Sequence, residues 1–240
     1  EAAITAGTFE WAPGVGRRAG FVRFADIAPG EPIVRQGDLT TDFFVVLSGR
    51  VEAVQARHGR PPHTHRVYGK GESFGEVSAH SHHPALCTYR AVDATTVAAI
   101  ENRLFARLYA EDDEWKQRID ANYRADLGLH LRATVLCRDL DDAAIATLQK
   151  GAQLLTVDEG DVVAKAGDPA DTVFLVRAGA IVCEVGDGAS ARTLAFYKGN
   201  ATFGEHAVTA DAARWPATYK AMMRSALVAL PRQQWAKLAA

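Results

Sequence analysis

The amino-acid sequence predicts a mainly β chain of the α+β class: two tandem antiparallel β-rolls of the jelly-roll kind, each with flanking helices. The first of three observations behind this is an internal repeat. Pro29-Gly30-Glu31-Pro32-Ile33-Val34-Arg35-Gln36-Gly37-Asp38 returns as Glu159-Gly160-Asp161-Val162-Val163-Ala164-Lys165-Ala166-Gly167-Asp168, and residues 43–51 return as residues 173–181, both at an offset of 130. Phe74-Gly75-Glu76 returns as Phe203-Gly204-Glu205 at an offset of 129, so the copies differ by small loop changes, as a tandem duplication leaves them. The second observation is that each copy breaks into short strand-like runs bounded by Gly, Pro or Asp at roughly the 8–12-residue spacing of sandwiches and barrels. The third is a switch to helical periodicity between the copies.

Taken in order, residues 1–18 are small and polar, with Pro13, Gly14 and Gly16, and read as a loosely held lead-in. Strand character begins after Gly20 with residues 21–24, 32–35 and 43–54, and Gly37-Asp38 and Ser48-Gly49-Arg50 supply turns. Residues 55–66 are polar and predict a surface hairpin loop, shortened in the second copy to residues 186–190. Residues 88–92 and 95–100 complete the first copy. From Glu101 onward Leu104, Phe105, Leu108, Tyr109, Trp115, Ile119 and Tyr123 fall at three- and four-residue steps, and the helix continues through Leu127, Leu129 and Leu131. Asp141-Asp142 caps a short helix through Ala144, Ile145 and Leu148. The second strand set runs from residues 152–157 to 226–230, and Pro231 opens a closing helix. This places a first domain at 19–124, a helical connector at 125–139 and a second domain at 140–238.

A chain of 240 residues that is 48% hydrophobic has enough apolar material for two cores of about 100 residues each. The formal net charge of −2 gives no basic bias toward nucleic acid. No run approaches the roughly 18–20 apolar residues that a membrane span needs. Cys87, Cys137 and Cys183 are odd in number and widely spaced, which fits reduced packing thiols in a cytoplasmic protein better than a disulfide framework. A first residue that is not Met suggests a piece of a longer protein, with an effector domain elsewhere.

The Gly-Asp, Ser-Gly-Arg-Val and Phe-Gly-Glu anchors together resemble the cyclic nucleotide-binding domain in tandem, as found in the regulatory subunit of protein kinase A and in related bacterial regulators. The resemblance covers about residues 19–124 and 140–238. It implies that Phe-Gly-Glu opens a short helix whose first amides face a cyclic phosphate. It also implies that the Glu accepts from the ribose 2′-hydroxyl, and that an Arg about nine residues further on pairs with the phosphate. In the first copy Phe74, Gly75, Glu76, Val77 and Thr88 stand at the expected places, but Ala85 stands where the Arg belongs. A close charge pair of that kind is worth about 1.5–7 kcal/mol, so the first pocket is expected not to bind cyclic nucleotides in the usual way. In the second copy Phe203, Gly204, Glu205 and Thr218 are kept and His206 replaces an aliphatic residue. Counting forward from Glu205 puts Arg214 at the cation's place; counting back from Ala217-Thr218 puts Trp215 there.

A kept ribose acceptor beside a missing or displaced cation admits an uncharged nucleoside as well as a cyclic nucleotide, and no other cofactor is expected. The functional expectation is regulation: a ligand or partner shifts the helices after each roll, the connector from Glu101 to Leu136 above all, and an attached effector senses the shift. A ligand-free interaction scaffold with decayed pockets is the main alternative. A cupin-like metalloenzyme is a third reading, carried by His63-Thr64-His65 with Glu72. Against it, the second copy has no His pair and the cupin's second His motif is absent, and exposed loop residues are the better account of these histidines and of His58, His80, His82 and His83. No nucleophile elbow, P-loop or Rossmann glycine pattern is present, so no enzyme activity and no metal are expected.

Overall fold

A computed structural model of the chain describes residues 18–57, 60–81, 83–186, 190–209 and 213–238. The anticipated lead-in therefore lies outside the described residues except for Arg18, as do His58, His82 and most of the shortened loop over 186–190. Contacts divide the chain between Leu129 and His130 into two compact units.

The first unit holds strands β1 (Arg18–Ala19), β2 (Val22–Ile27), β3 (Pro32–Val34), β4 (Phe43–Ser48), β5 (Val51–Arg57), β6 (Arg60–Tyr68) and β7 (Ser73–Phe74), then helix α1 (Glu76–Ser81). Strands β8 (Thr88–Ala91) and β9 (Thr95–Ile100) follow, then helix α2 (Asn102–Glu111) and helix α3 (Asp113–Arg132), whose last three residues fall past the boundary. Two antiparallel sheets form, in the orders β1-β2-β9-β4-β7 and β3-β8-β5-β6. β4 is apolar along nearly its whole length because it serves two cores. Phe44 and Val46 face into the roll with Val51, Ala53, Tyr68 and Phe74. Phe43 and Val45 face the helices with Phe105, Trp115 and Ile119, and Phe43 lies 4.8 Å from Phe105 and 5.6 Å, edge-on, from Trp115. A strand covered on both faces loses the alternation of a half-exposed one. Trp115 is thereby packed core.

The expectation of a loop over residues 55–66 is overturned. β5 runs on to Arg57 and pairs with β6 at Val54–Thr64, Gln55–His63 and Arg57–Arg60. β6 lies at the edge of its sheet, the place in a sheet where proline is tolerated. The stretch is polar because it is a two-stranded ribbon wetted on its outer face.

The second unit repeats the plan. Helix α4 (Asp142–Gly151) is capped by Asp141, whose side chain accepts from the Ala144 amide at 2.8 Å. Strands β10 (Gln153–Val157), β11 (Val162–Ala164), β12 (Thr172–Ala178), β13 (Ala180–Val185), β14 (Arg192–Lys198), β15 (Thr202–Phe203), β16 (Thr218–Ala221) and β17 (Ser225–Pro231) follow, with α5 (His206–Thr209) after β15 and α6 (Arg232–Ala236) at the end. The sheets run β10-β17-β12-β15 and β11-β16-β13-β14. All three cysteines are buried and free, and burial pushes the Cys87 thiol up to about 12 and Cys137 up to about 11. Among the described residues no helix is long and apolar enough to cross a membrane.

α3 is fastened to the first roll by polar contacts. The Tyr68 hydroxyl donates to Asp126 Oδ2 at 2.8 Å, Arg66 Nη1 donates to Asp126 Oδ1 at 3.0 Å, and Asn122 Nδ2 donates to Ser73 Oγ at 2.6 Å. Burial raises the Asp126 carboxyl above its ordinary value of 3.8 and outweighs the pull of Arg66 and Tyr68 in the other direction. Below that ordinary value folded and unfolded chains both hold the proton. As pH rises through the raised folded value, the folded chain gives up a proton it holds more tightly, so this group's contribution to stability declines. Asp126→Asn lacks that decline. In urea titrations the stability of the wild type minus that of Asp126→Asn is expected to fall as pH rises from 3.8; a difference that grew instead would show the carboxylate to be favoured in place.

Candidate functional site

Each Phe-Gly-Glu segment forms the turn from a two-residue strand into a short helix. In the first unit Phe74 closes β7 and its ring stacks between Phe44 at 5.1 Å and Tyr89 at 4.3 Å. Gly75 then turns with φ +86°, a conformation that disfavours a Cβ, and a methyl added there would sit 3.1 Å from the Asp42 carbonyl. Glu76 and Val77 begin α1, both buried, with Glu76 only 7% exposed.

Beyond α1 the chain returns to the Gly37-Asp38 turn through a pair of reciprocal backbone bonds. The Gly37 amide donates to the Ala85 carbonyl at 2.8 Å and the Ala85 amide donates to the Asp38 carbonyl at 2.9 Å. Thr88 Oγ1 accepts from the Gln36 amide at 3.0 Å. The second unit has the same clasp: Gly167 donates to Trp215 at 2.8 Å, Trp215 donates to Asp168 at 2.9 Å, and Thr218 Oγ1 accepts from Ala166 at 3.2 Å. Every partner is displaced by 130 residues. The position matching Ala85 is therefore Trp215, and the one extra residue of the second copy falls between Glu205 and Trp215. Of the two ways of counting, the one from Ala217-Thr218 gives the residue at the clasp.

Trp215 is 5% exposed and its indole fills the inner end of the second roll. It packs with Phe174, Phe203 and Tyr219, meets the His206 ring edge-on at 5.0 Å, and stands so close to Gly204 that a Cβ there would lie 2.7 Å from the ring. Arg214, one residue earlier, directs Nη1 to the Gly167 carbonyl at 2.6 Å. Glu205 Oε1 accepts from Thr202 Oγ1 at 2.5 Å.

A further difference lies on the strand under the clasp. Val51, Ala53 and Gln55 are the inward residues of β5, and Gln55 is 3% exposed. Its Nε2 donates to the Leu86 carbonyl at 3.3 Å, while its buried Oε1 has no hydrogen-bond partner. The strand registers Val54–Thr88 and Glu184–Thr218 make Val185 its counterpart. Motif comparison does not single out Gln55. The signal is a polar residue in the third inward place of a strand whose first two are apolar. Tyr68 and Asp126 escape notice for a similar reason, because they meet across 58 residues of sequence.

A cavity of about 560 Å³ opens beside the site between β2, β3 and residues 38–42, walled by Ile27, Val34, Asp38, Asp42, Phe44 and Val97. It shares Phe44 and Asp38 with the clasp region. His63 and His65 lie on β6 with ring centres 6.2 Å apart, Glu72 is engaged by Arg66 and by the Gly69 amide, and His80 packs on Phe105 and Tyr109. Among the described residues no group of three metal-ligating side chains forms.

Two rolls, each holding the segment after its Phe-Gly-Glu helix against a Gly-Asp turn, are two copies of one domain. The chain belongs to the cyclic nucleotide-binding domain family, whose profile matches residues 25–112 and 154–240. It is 27% identical over 190 residues to the cAMP-dependent protein kinase regulatory subunit of Blastocladiella emersonii, covering 78% of this chain and 45% of that one. It is 23% identical over 213 residues to the corresponding subunit of Dictyostelium discoideum, covering 87% and 63%. The chain thus spans about half to two thirds of these relatives' length. Among solved structures, the regulatory domain of Toxoplasma gondii protein kinase A with cAMP is 19% identical, matches 91% of this chain and 81% of its own, and gives a TM-score of 0.44.

The two glycines of the motif differ in what surrounds them. Gly75→Ala meets the left-handed backbone cost, about 1–2 kcal/mol, and near contacts above 3 Å. Gly204→Ala adds to that cost a contact of 2.7 Å with the Thr172 carbonyl, which cannot swing aside, and one with the Trp215 ring. Urea titration is expected to show Gly204→Ala about twice as destabilising; equal costs would mean that both the Thr172 backbone and the indole give way.

Proposed function

We infer that this chain is a regulatory module whose first pocket takes an uncharged nucleoside and whose second pocket is closed by its own tryptophan. One observation carries the reading: the same backbone clasp holds Ala85 in the first roll and Trp215 in the second. At that place the family's chemistry needs a guanidinium to balance a phosphate. Alanine leaves the phosphate unbalanced, at a cost of about 1.5–7 kcal/mol for a close charge pair. A neutral ligand has no such requirement, and the buried Glu76 still offers an acceptor for a ribose hydroxyl. In the second roll the indole replaces the ligand as packing, and Arg214 is engaged by a main-chain carbonyl. The ligand's effect leaves through α3, which the Tyr68–Asp126–Arg66 contacts tie to the first roll, toward an effector domain or partner protein.

Calorimetric titration with adenosine, inosine, cyclic AMP and cyclic GMP tests this. The expected result is one nucleoside site per chain, with cyclic nucleotides weaker by about tenfold or more, the least that a lost charge pair of about 1.5 kcal/mol implies. In Ala85→Arg the preference is expected to turn toward the cyclic nucleotides. Tight cyclic-nucleotide binding by the wild type, or two sites per chain, would overturn the reading. Silence across the panel would favour a ligand-free scaffold.

A further inference from the structure

The first roll differs from the second at two matched places near the clasp, and the differences go together. Where the second unit has Trp215 and Val185, both apolar and packed into one core, the first has the small Ala85 and the polar Gln55. Gln55 Oε1 is a buried carbonyl oxygen without a donor, and its Nε2 holds the Leu86 carbonyl by a bond of 3.3 Å, at the long end for an N–H donor. Buried acceptors are rarely left unpaired. Leu86 adjoins Ala85, so Gln55 lies at the end of the pocket where the family places the phosphate.

We propose that Gln55 is a specificity-determining residue of the first pocket, and that its Oε1 accepts a hydrogen bond from the 5′-hydroxyl of a nucleoside. This rests on the nucleoside reading above. The chemistry separates the two ligand classes. A free 5′-hydroxyl is a donor, whereas in a cyclic nucleotide the same oxygen is esterified and carries no proton, and the neighbouring phosphate oxygens are anionic acceptors facing another acceptor. The carboxamide thus favours the neutral ligand on the same side where Ala85 fails to favour the charged one. The Nε2 bond to the Leu86 carbonyl sets the turn of the amide, so Oε1 and not the donor is the atom left to meet a ligand.

The test compares adenosine with 5′-deoxyadenosine, which lacks only that hydroxyl, by calorimetry on the full chain. The wild type is expected to bind adenosine about tenfold more tightly, the scale of one hydrogen bond to a buried acceptor. In Gln55→Val, which installs the second unit's residue, the two ligands are expected to bind within about twofold of each other. Gln55→Met, closer in length, gives the same comparison if the valine variant does not fold. Equal affinities in the wild type would overturn the assignment while leaving the nucleoside reading in place. A preference that persisted in both variants would place the hydroxyl's partner elsewhere and overturn it too. No binding of either nucleoside to the wild type would overturn both readings together.

Discussion

The reciprocal pair of backbone bonds between a Gly-Asp turn and the segment after the Phe-Gly-Glu helix is the constraint on which the functional reading depends. Buried amides and carbonyls must be paired, and here the turn supplies one donor and one acceptor at the spacing the returning chain needs. Gly37 and Asp38 do this for Ala85, and Gly167 and Asp168 for Trp215. The clasp touches only main-chain atoms and so fixes the place of one residue without limiting its side chain. The two rolls could keep the same fold and still diverge in chemistry at that position.

The two outcomes are opposite solutions to one packing problem. A roll with a pocket at its inner end leaves apolar side chains under-packed unless something fills it. In the second unit the chain fills it with a large indole, stacked among Phe174, Phe203 and Tyr219, and Val185 keeps the wall apolar. Such a domain gains its packing contacts within its own sequence. In the first unit Ala85 fills little, and Gln55 leaves a buried acceptor unpaired, which costs about 1–3 kcal/mol. On the nucleoside reading a bound ligand would remove that cost, which is why the polar residue and the small residue belong to one argument.

Much of the architecture is legible because duplication states it twice. The 130-residue offset fixes the strand plan, and the helical steps of Phe105, Trp115 and Ile119 mark the helices that follow the first roll. The polar ribbon over residues 55–66 reads as a loop because its alternation is between wet and half-wet faces, without the apolar contrast that marks a strand. The missing Arg at position 85 is visible in the motif, but the choice between Arg214 and Trp215 is not. The inserted residue makes both alignments equally good, and only the three-dimensional clasp tells them apart. Gln55 matters because of what lies around it, and Asp126 because of a tyrosine 58 residues away; neither surrounding is written locally in the chain.

These elements are linked by a continuous set of contacts in the first unit. Phe44 stacks on Phe74 of the Phe-Gly-Glu turn, Phe74 packs against Tyr68 at 5.6 Å, and the Tyr68 hydroxyl reaches Asp126 on α3. Packed rings transmit displacement because an interior near crystal density has little room to absorb it. The last link is polar and buried: Asp126 without Tyr68 and Arg66 would be a desolvated carboxylate with fewer partners. On the proposed reading, a ligand that moves Phe74 would act on this contact. Contiguity alone carries no coupling. The contacts of Asp126 with Tyr68 and Arg66 tie α3 to the roll, and on the proposed reading the free energy of that attachment is what a ligand would have to shift.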